Sequence, residues 1–256
     1  MYLLKKNYLK LILIKRGHLI ITIAFNKPDL IESQILLLKM HIKDSFVHVV
    51  FDNSSEASCS KKIKKICKLN KVIYFKNKET EKNKKVQTNP SISHGKALNY
   101  AFKKIAVPSG AKILTFLDHD IFPVKEYSFF SNISSADFLG VKMTKMGMWY
   151  LWPGFFSMKL NKIINNKIDF LPAPSLDTGG SLWSGIFSKD QKVIFARRRN
   201  YTIGKLTNKQ KDVYQIIDSS WVHLVNGSNW ANIKDTSKKE IFFKNIKSFE
   251  RITNEK

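Results

Sequence analysis

Four short apolar runs in the first half of the chain constrain its fold more than any other feature. Helix-like segments separate them, and polar clusters end three of them. Leu19 to Phe25 is rich in β-branched residues and stops at Asn26-Lys27-Pro28-Asp29. Phe46 to Phe51 stops at Asp52-Asn53-Ser54-Ser55, and Val72 to Phe75 is the third run. Ala111 to Leu117 stops at Asp118-His119-Asp120. Continuous apolar runs of this length read as strands covered on both faces. Leu30 to His41, behind the N-cap candidate Asp29, carries apolar residues at 31, 35, 38 and 42. A Lys-rich helix with Ile63, Ile66 and Leu69 as its stripe comes next. Helical rhythm resumes at Ser93 and closes at Pro108-Ser109-Gly110. This alternation predicts an α/β fold, a mostly parallel central sheet flanked by helices. Ligands of such sheets bind beyond the carboxyl ends of the strands, where the clusters at Asn26, Asp52 and Asp118 stand.

A length of 256 residues suits one large domain. Residues 1–18 are a basic and apolar N-terminal segment, 76–90 a polar Lys-rich loop, and 233–256 a Lys-rich tail. The 44 Lys and Arg against 20 Asp and Glu give a formal charge of +24. That excludes an acidic solvating tail and suits phosphate-rich or anionic-membrane partners. Only five of the 44 are Arg, the usage of an AT-rich coding sequence. A single-strand nucleic-acid binder interleaves its basic residues with stacking aromatics. The stretch from Lys61 to Lys85 has only Tyr74 and Phe75, both in a strand that reads as buried. Nucleic acid is therefore an unfavoured partner. Cys59 and Cys67, if on one helix, lie roughly 12 Å apart along its axis, too far to bridge. That fits a reducing cytoplasm. Lys15 and Arg16 stop the run Leu11 to Ile14 after four residues, so a soluble protein without a signal segment is expected.

Several clusters carry chemistry, each with a structural alternative beside it. In an extended segment Asp118 and Asp120 face one side, so a hard divalent cation could bridge them to a diphosphate. Alternatively, Asp118 caps a turn and Asp120 is solvated. Asp52-Asn53-Ser54-Ser55 is either a plain Asx-rich turn or a carboxylate placed for a base or ribose. Ser91-Ile92-Ser93-His94-Gly95-Lys96-Ala97-Leu98-Asn99 opens a helix. Its free N–H groups and Lys96 suit a phosphate, Gly95 permits close approach, and Asn99 faces as Gly95 does. The alternative is a Ser-capped amphipathic helix with a buried His. Arg197-Arg198-Arg199 reads as a solvated face rather than a diphosphate clamp.

Taken in order, Asn26, Val49 to Ser55, His94 to Asn99 and Phe116 to Asp120 resemble a GT-A fold glycosyltransferase of the family 2-like group. The resemblance covers residues 19–125 and runs more loosely to about 230. It implies a nucleotide-sugar-binding half at 19–125 and an acceptor and sugar-binding half of the same domain at 126–232. It also implies a nucleoside-diphosphate sugar donor, with UDP favoured, and Mn²⁺ or Mg²⁺ as cofactor. By that resemblance Asp52 contacts the nucleobase, with Asn26 and Asn53 beside it. His94, Gly95, Lys96 and Asn99 lie along the nucleotide, and Asp118 with Asp120 holds ribose and metal-diphosphate.

In the second half, Trp152-Pro153-Gly154-Phe155 stands where the family carries a Gly-containing loop near the sugar, although Trp and Phe also serve as core. Asp177-Thr178-Gly179-Gly180 stands where the family places a catalytic acidic pair at a helix start. Asp177 is then the general base, or else a plain N-cap. Leu176 precedes it where the family has an acid. His223 is either the third metal ligand, with Asp118 and Asp120, or a core histidine. Asn226, Ser228 and Asn229 could reach acceptor or phosphate. The expected function is metal-assisted, inverting transfer of a sugar to a hydroxyl of a glycan, lipid-linked glycan or polysaccharide, with peripheral contact to an anionic membrane. A basic nucleic-acid-binding protein and a catalytically silent carbohydrate-binding member of the same fold are the alternatives.

Overall fold

The computed structural model describes residues 17–78, 89–163, 166–202 and 213–225. The N-terminal segment, most of the 76–90 loop, Asn226, Ser228, Asn229 and the Lys-rich tail lie outside them. The elements in chain order begin with β1 (His18–Ala24), α1 (Pro28–His41), β2 (Phe46–Asp52), α2 (Ala57–Leu69) and β3 (Ile73–Lys76). Next is α3 (Pro90–Ala101), extended by a π-helical stretch Phe102–Ala106 and the turn Val107–Ser109. Then come β4 (Ile113–Asp118), β5 (Ile121–Pro123), α4 (Phe129–Asn132), β6 (Phe138–Lys145), β7 (Met148–Lys159) and α5 (Leu160–Ile163). A π-helical turn Trp183–Phe187 precedes β8 (Val193–Phe195), β9 (Arg198–Thr202), β10 (Val213–Ile217) and β11 (Trp221–Leu224).

The result is the expected α/β architecture. Seven strands form one sheet in the order β3-β2-β1-β4-β7-β6-β8. β1, β2, β3 and β4 are parallel, β7 runs antiparallel to β4 and β6, and β8 is parallel to β6. A second sheet, β5-β11-β10-β9, packs the later strands. β1 is buried along its whole length, as a doubly covered strand must be. One core layer joins the sheet to α3 and the 168–187 segment, and a second joins it to Trp221 and Phe129. No helix among the described residues is long and apolar enough to cross a membrane.

Three local expectations are corrected. Lys27, not Asp29, occupies the N-cap of α1; Pro28 takes the first turn and Asp29 stands there as a dipole partner. In α2 the buried stripe is Ile63 and Cys67, while Leu69 is exposed at the C-terminal end. α3 starts at Pro90 rather than Ser93, because the Asn89 side chain caps it by accepting from the N–H groups of Ser91 and Ile92. Gly110 closes the extended helix in the left-handed region, as the Pro-Ser-Gly signal predicts.

Two buried histidines couple this fold to pH. His18 lies fully buried in β1, its Nε2 2.9 Å from Thr115 Oγ1; His48 lies buried in β2, its Nε2 3.0 Å from Thr22 Oγ1. Burial pushes each imidazole down to about 3, with Lys39 adding to the effect at His48. Between about pH 3 and 6.5 the unfolded chain takes up protons that the folded chain refuses. Stability is therefore full above about pH 6.5, falls as pH drops toward 3, and stops falling from this source below that. The expected slope is on the order of 1 kcal/mol per pH unit for each imidazole. Urea unfolding from pH 7 to 4 measures it, and His48→Gln should remove its own share. An unchanged slope in that variant would show that His48 charges freely in the folded protein.

Candidate active site at the strand ends

Strand register brings three chain ends to one edge of the sheet. Ala24 pairs with Asp52 across β1 and β2, and Ile23 pairs with Asp118 across β1 and β4. The following residues, Phe25, Asn53, His119 and Asp120, open side by side onto a cavity of about 400 Å³. Ser91, Ser93 and His94 line it from α3, Trp152 from β7, and Asp177 and Thr178 from the loop after α5.

Asp118 ends β4, and its Oδ1 lies 3.2 Å from His94 Nε2. Burial alone would raise the Asp118 pKa and lower that of His94. The two groups reverse this in each other through charge and a hydrogen bond, so Asp118 is held below the usual carboxylate value and His94 above the usual imidazole one. Asp120 sits two residues on, in the turn before β5. Its Oδ1 is buried with no hydrogen-bond partner, and His223 Nε2 lies 3.8 Å away. Burial pushes the Asp120 carboxyl up to about 6, Asp118 adding to the effect and His223 opposing it. A turn, rather than strand alternation, aims both carboxylates at the cavity. Between them His119 Nδ1 lies 3.2 Å from the Ile23 carbonyl oxygen, which can only accept, so this nitrogen donates.

The turn has a buried support. Gln34 of α1 donates from Nε2 to the carbonyl oxygens of Asp118 (2.7 Å) and Ile121 (2.8 Å). Its Oε1 accepts from Thr22 Oγ1 at 2.7 Å, and Thr22 Oγ1 also meets His48 Nε2.

The other expected residues divide. Within α3 only one face meets the cavity. His94, Ser91 and Ser93 reach it, Lys96 is exposed, and Gly95 and Asn99 face elsewhere together. A Cβ on Gly95 would lie 2.6 Å from the Phe170 carbonyl oxygen. Asn99 donates to Asp169 Oδ1 (2.7 Å) and accepts from Phe170 N (3.0 Å). Both residues therefore seat the 169–171 segment, which leads to Asp177, rather than a nucleotide. The helix start is also not an open phosphate site, since Asn89 occupies two of its N–H groups.

Asp52 does not line the cavity. It is wholly buried, accepting from Ser54 N (2.9 Å) and Tyr74 Oη (2.7 Å), with Lys76 Nζ at 3.6 Å. Asn26, at a positive φ of 51°, ties β1 to the β2 turn through Ser54, Ser55 and Glu56. Asn53 does line the cavity, donating to Ser93 Oγ at 3.2 Å and accepting from Asn77.

Trp152-Pro153-Gly154-Phe155 lies within β7, not in a loop, but as a bulge. Gly140 pairs with Phe156 and Lys142 with Leu151, so on the β6 side residues 152–155 stand against Val141 alone, while Phe155 still pairs with Leu117 of β4. Pro153 lacks the N–H that a regular ladder needs. The bulge abuts the end of β4, and a Cβ on Gly154 would lie 2.6 Å from Asp118 Oδ2. Gly179, at φ +87°, packs on Pro153 and holds the Asp177 loop against the bulge. Asp177 opens a turn, with the next helical residues a π turn at Trp183–Phe187, so it caps no regular helix. Its Oδ1 accepts from Thr178 N at 2.7 Å, and the residue is exposed at the cavity rim. Thr178 Oγ1 donates to Ser91 O and fastens that rim to α3.

Among the described residues no three His, Cys, Asp or Glu side chains stand together as a metal cage. The expected triple of Asp118, Asp120 and His223 is not assembled, and Asp118 Oδ1 pairs with His94 instead. His223 is a buried residue of β11 whose Nδ1 meets Gln215 Oε1 at 2.9 Å and whose ring lies 4.7 Å from that of Trp152. Burial holds its imidazole low despite Asp120 and Asp118. The two carboxylates, one with an unpartnered oxygen, still fit a hard, oxygen-seeking divalent ion.

No protein-family model matches the chain, and no curated protein does. Solved structures do resemble it. The mannosyltransferase Ktr4p from S. cerevisiae is 12% identical over 59% of this chain and 58% of its own, with a TM-score of 0.43. Mannosyltransferase PcManGT from Pyrobaculum calidifontis, in complex with GDP-Man and Mn²⁺, is 11% identical over 76% of this chain and 61% of its own, with a TM-score of 0.44. Glucosyl-3-phosphoglycerate synthase from Mycobacterium tuberculosis, in complex with Mn²⁺ and UDP-glucose, is 13% identical over 61% of this chain and 60% of its own, with a TM-score of 0.36. The likeness is one of fold. The chain spans 58 to 61% of the length of these proteins.

Proposed function

We propose that this chain is a glycosyltransferase that moves a sugar from a nucleoside-diphosphate donor, UDP favoured, to a hydroxyl acceptor. The observation that carries the reading is the convergence of Asp118, Asp120, His94, Trp152 and Asp177 on one cavity at the carboxyl ends of parallel strands. Asn53, Ser91 and Ser93 offer hydrogen-bonding groups for the nucleoside end of the donor. Asp118 and Asp120 would hold Mn²⁺ or Mg²⁺, which when bound supplies neutralising charge for the departing diphosphate. Trp152 offers an aromatic face to the sugar.

Asp177 takes the proton of the acceptor hydroxyl as its oxygen attacks the anomeric carbon. The bond from that carbon to the diphosphate oxygen breaks, and the nucleoside diphosphate leaves with the bonding pair. A base on the side opposite the leaving group gives inversion. The exposed rim at Asp177 suits an acceptor arriving from outside, and a glycan or lipid-linked glycan fits that role. The +24 charge suits work at an anionic membrane face.

A thermal-shift screen of UDP, GDP, CDP and ADP, with and without Mn²⁺, tests the reading. One diphosphate, and only with metal, should raise the melting temperature. At about 100 times its Kd the gain is about 2.7 kcal/mol, or roughly 5–10 °C for a chain of this size. No shift with any of them would overturn the proposal.

A further inference from the structure

Gln34 is a polar residue on the buried face of α1, between Ile31, Ile35 and Leu38, and it is wholly inaccessible to solvent. A buried amide is tolerated only when its hydrogen bonds are made. Those of Gln34 are made with unusual economy. Its two N–H groups go to the carbonyls of Asp118 and Ile121, which bracket the Asp118-His119-Asp120 turn. Its oxygen goes to Thr22 on β1, which is backed by His48 on β2. One side chain thus joins α1, β1 and both sides of the turn that carries the two cavity carboxylates. Leu, which would fill the same space, would leave both carbonyls without these partners.

We propose that Gln34 is a positioning residue for the Asp118 and Asp120 carboxylates. It fixes the turn from behind, so that the two side chains keep their spacing when a cation and a diphosphate bind. The proposal rests on the reading of the cavity as a nucleoside-diphosphate site. The direction of support matters. Thr22 and His48 satisfy the far side of the Gln34 amide and touch neither carbonyl, so they contribute stability without holding the turn.

This contrast supplies the test. Gln34→Met removes both donors to the turn and keeps the length of the side chain. Thr22→Val also breaks a buried hydrogen bond of Gln34 but leaves its N–H groups on the turn. Both variants should lower the melting temperature. Hydrogen–deuterium exchange should then separate them. In Gln34→Met, peptides covering residues 118–122 should exchange at least tenfold faster than in the wild type, while in Thr22→Val they should stay within threefold.

Calorimetry with Mn²⁺ and UDP should follow the same division. Affinity should fall by about 10- to 100-fold in Gln34→Met, the range for groups that orient metal ligands, and stay within threefold in Thr22→Val. Equal exchange in the two variants would overturn the positioning role. So would a Gln34→Met protein with wild-type exchange at the turn. If the wild type binds no nucleoside diphosphate, the functional reading fails, and the exchange comparison still decides whether Gln34 holds the turn.

Discussion

Asp120→Ala should abolish metal-dependent hydrolysis of the sugar nucleotide and transfer to an acceptor, with a loss of at least 100-fold, while leaving the protein folded. The reason is the unusual position of this carboxylate. It is buried, its Oδ1 lacks a hydrogen-bond partner, and burial lifts its pKa to about 6. Burial disfavours its ionised form in the folded protein, so removing the carboxylate should cost little stability. Removing it should move the melting temperature by no more than about 1 kcal/mol moves a chain of this size, roughly 2–4 °C. A well-folded Asp120→Ala protein with full activity would remove the carboxylate pair from the mechanism. Asp118→Ala is a less clean test, since it also strips His94 of its partner at 3.2 Å.

Asp177→Asn should leave donor binding intact and lower kcat by 10²- to 10⁴-fold, the usual contribution of a positioned general base. Asn keeps an oxygen to accept from Thr178 N, so the rim loop should hold its shape. The variant separates two roles that one cavity would otherwise blur. Loss at Asp120 should appear in metal-dependent nucleotide affinity, whereas loss at Asp177 should appear in turnover at saturating donor. Steady-state kinetics with varied donor and acceptor give the split. Unchanged kcat would assign the base elsewhere, and weakened UDP binding would place Asp177 in the donor site instead.

Much of the fold was legible because its signals are local. The runs at Leu19, Phe46, Val72 and Ala111 are apolar without alternation, and parallel strands covered on both faces have that pattern. The polar clusters at their ends also marked the right edge of the sheet, and Asp118 and Asp120 do face its cavity. Motif membership misled at Asp52, Gly95 and Asn99. Asp52 and Gly95 each stand next to a cavity residue in sequence and Asn99 one helical turn after Gly95, but the Asp52 and Asn99 side chains and the backbone of Gly95 are taken up by contacts within the protein. Asp52 closes on Tyr74 and Ser54, while Gly95 and Asn99 accept the 169–171 segment. At Asp52 the Asx turn to Ser54 is the alternative that the sequence offers, whereas no local pattern reports the contacts of Gly95 and Asn99, because their partner segment is some 70 residues away.

Gln34 left a fainter trace. A polar residue three after Ile31 and four before Leu38 stands on the apolar face of a helix, where it needs a buried partner. The sequence cannot say that the partners are the carbonyls that bracket the Asp118-His119-Asp120 turn. The bulge at Trp152 had a similar signal in Pro153, which a regular inner strand excludes.

The most direct measurement is a calorimetric titration of UDP into the wild-type protein, once with Mn²⁺ and once with EDTA, repeated on Asp120→Ala. Saturable binding with Mn²⁺ should disappear both in EDTA and in the variant. Binding of equal strength in all three, or none to the wild type with metal, would contradict the proposed function.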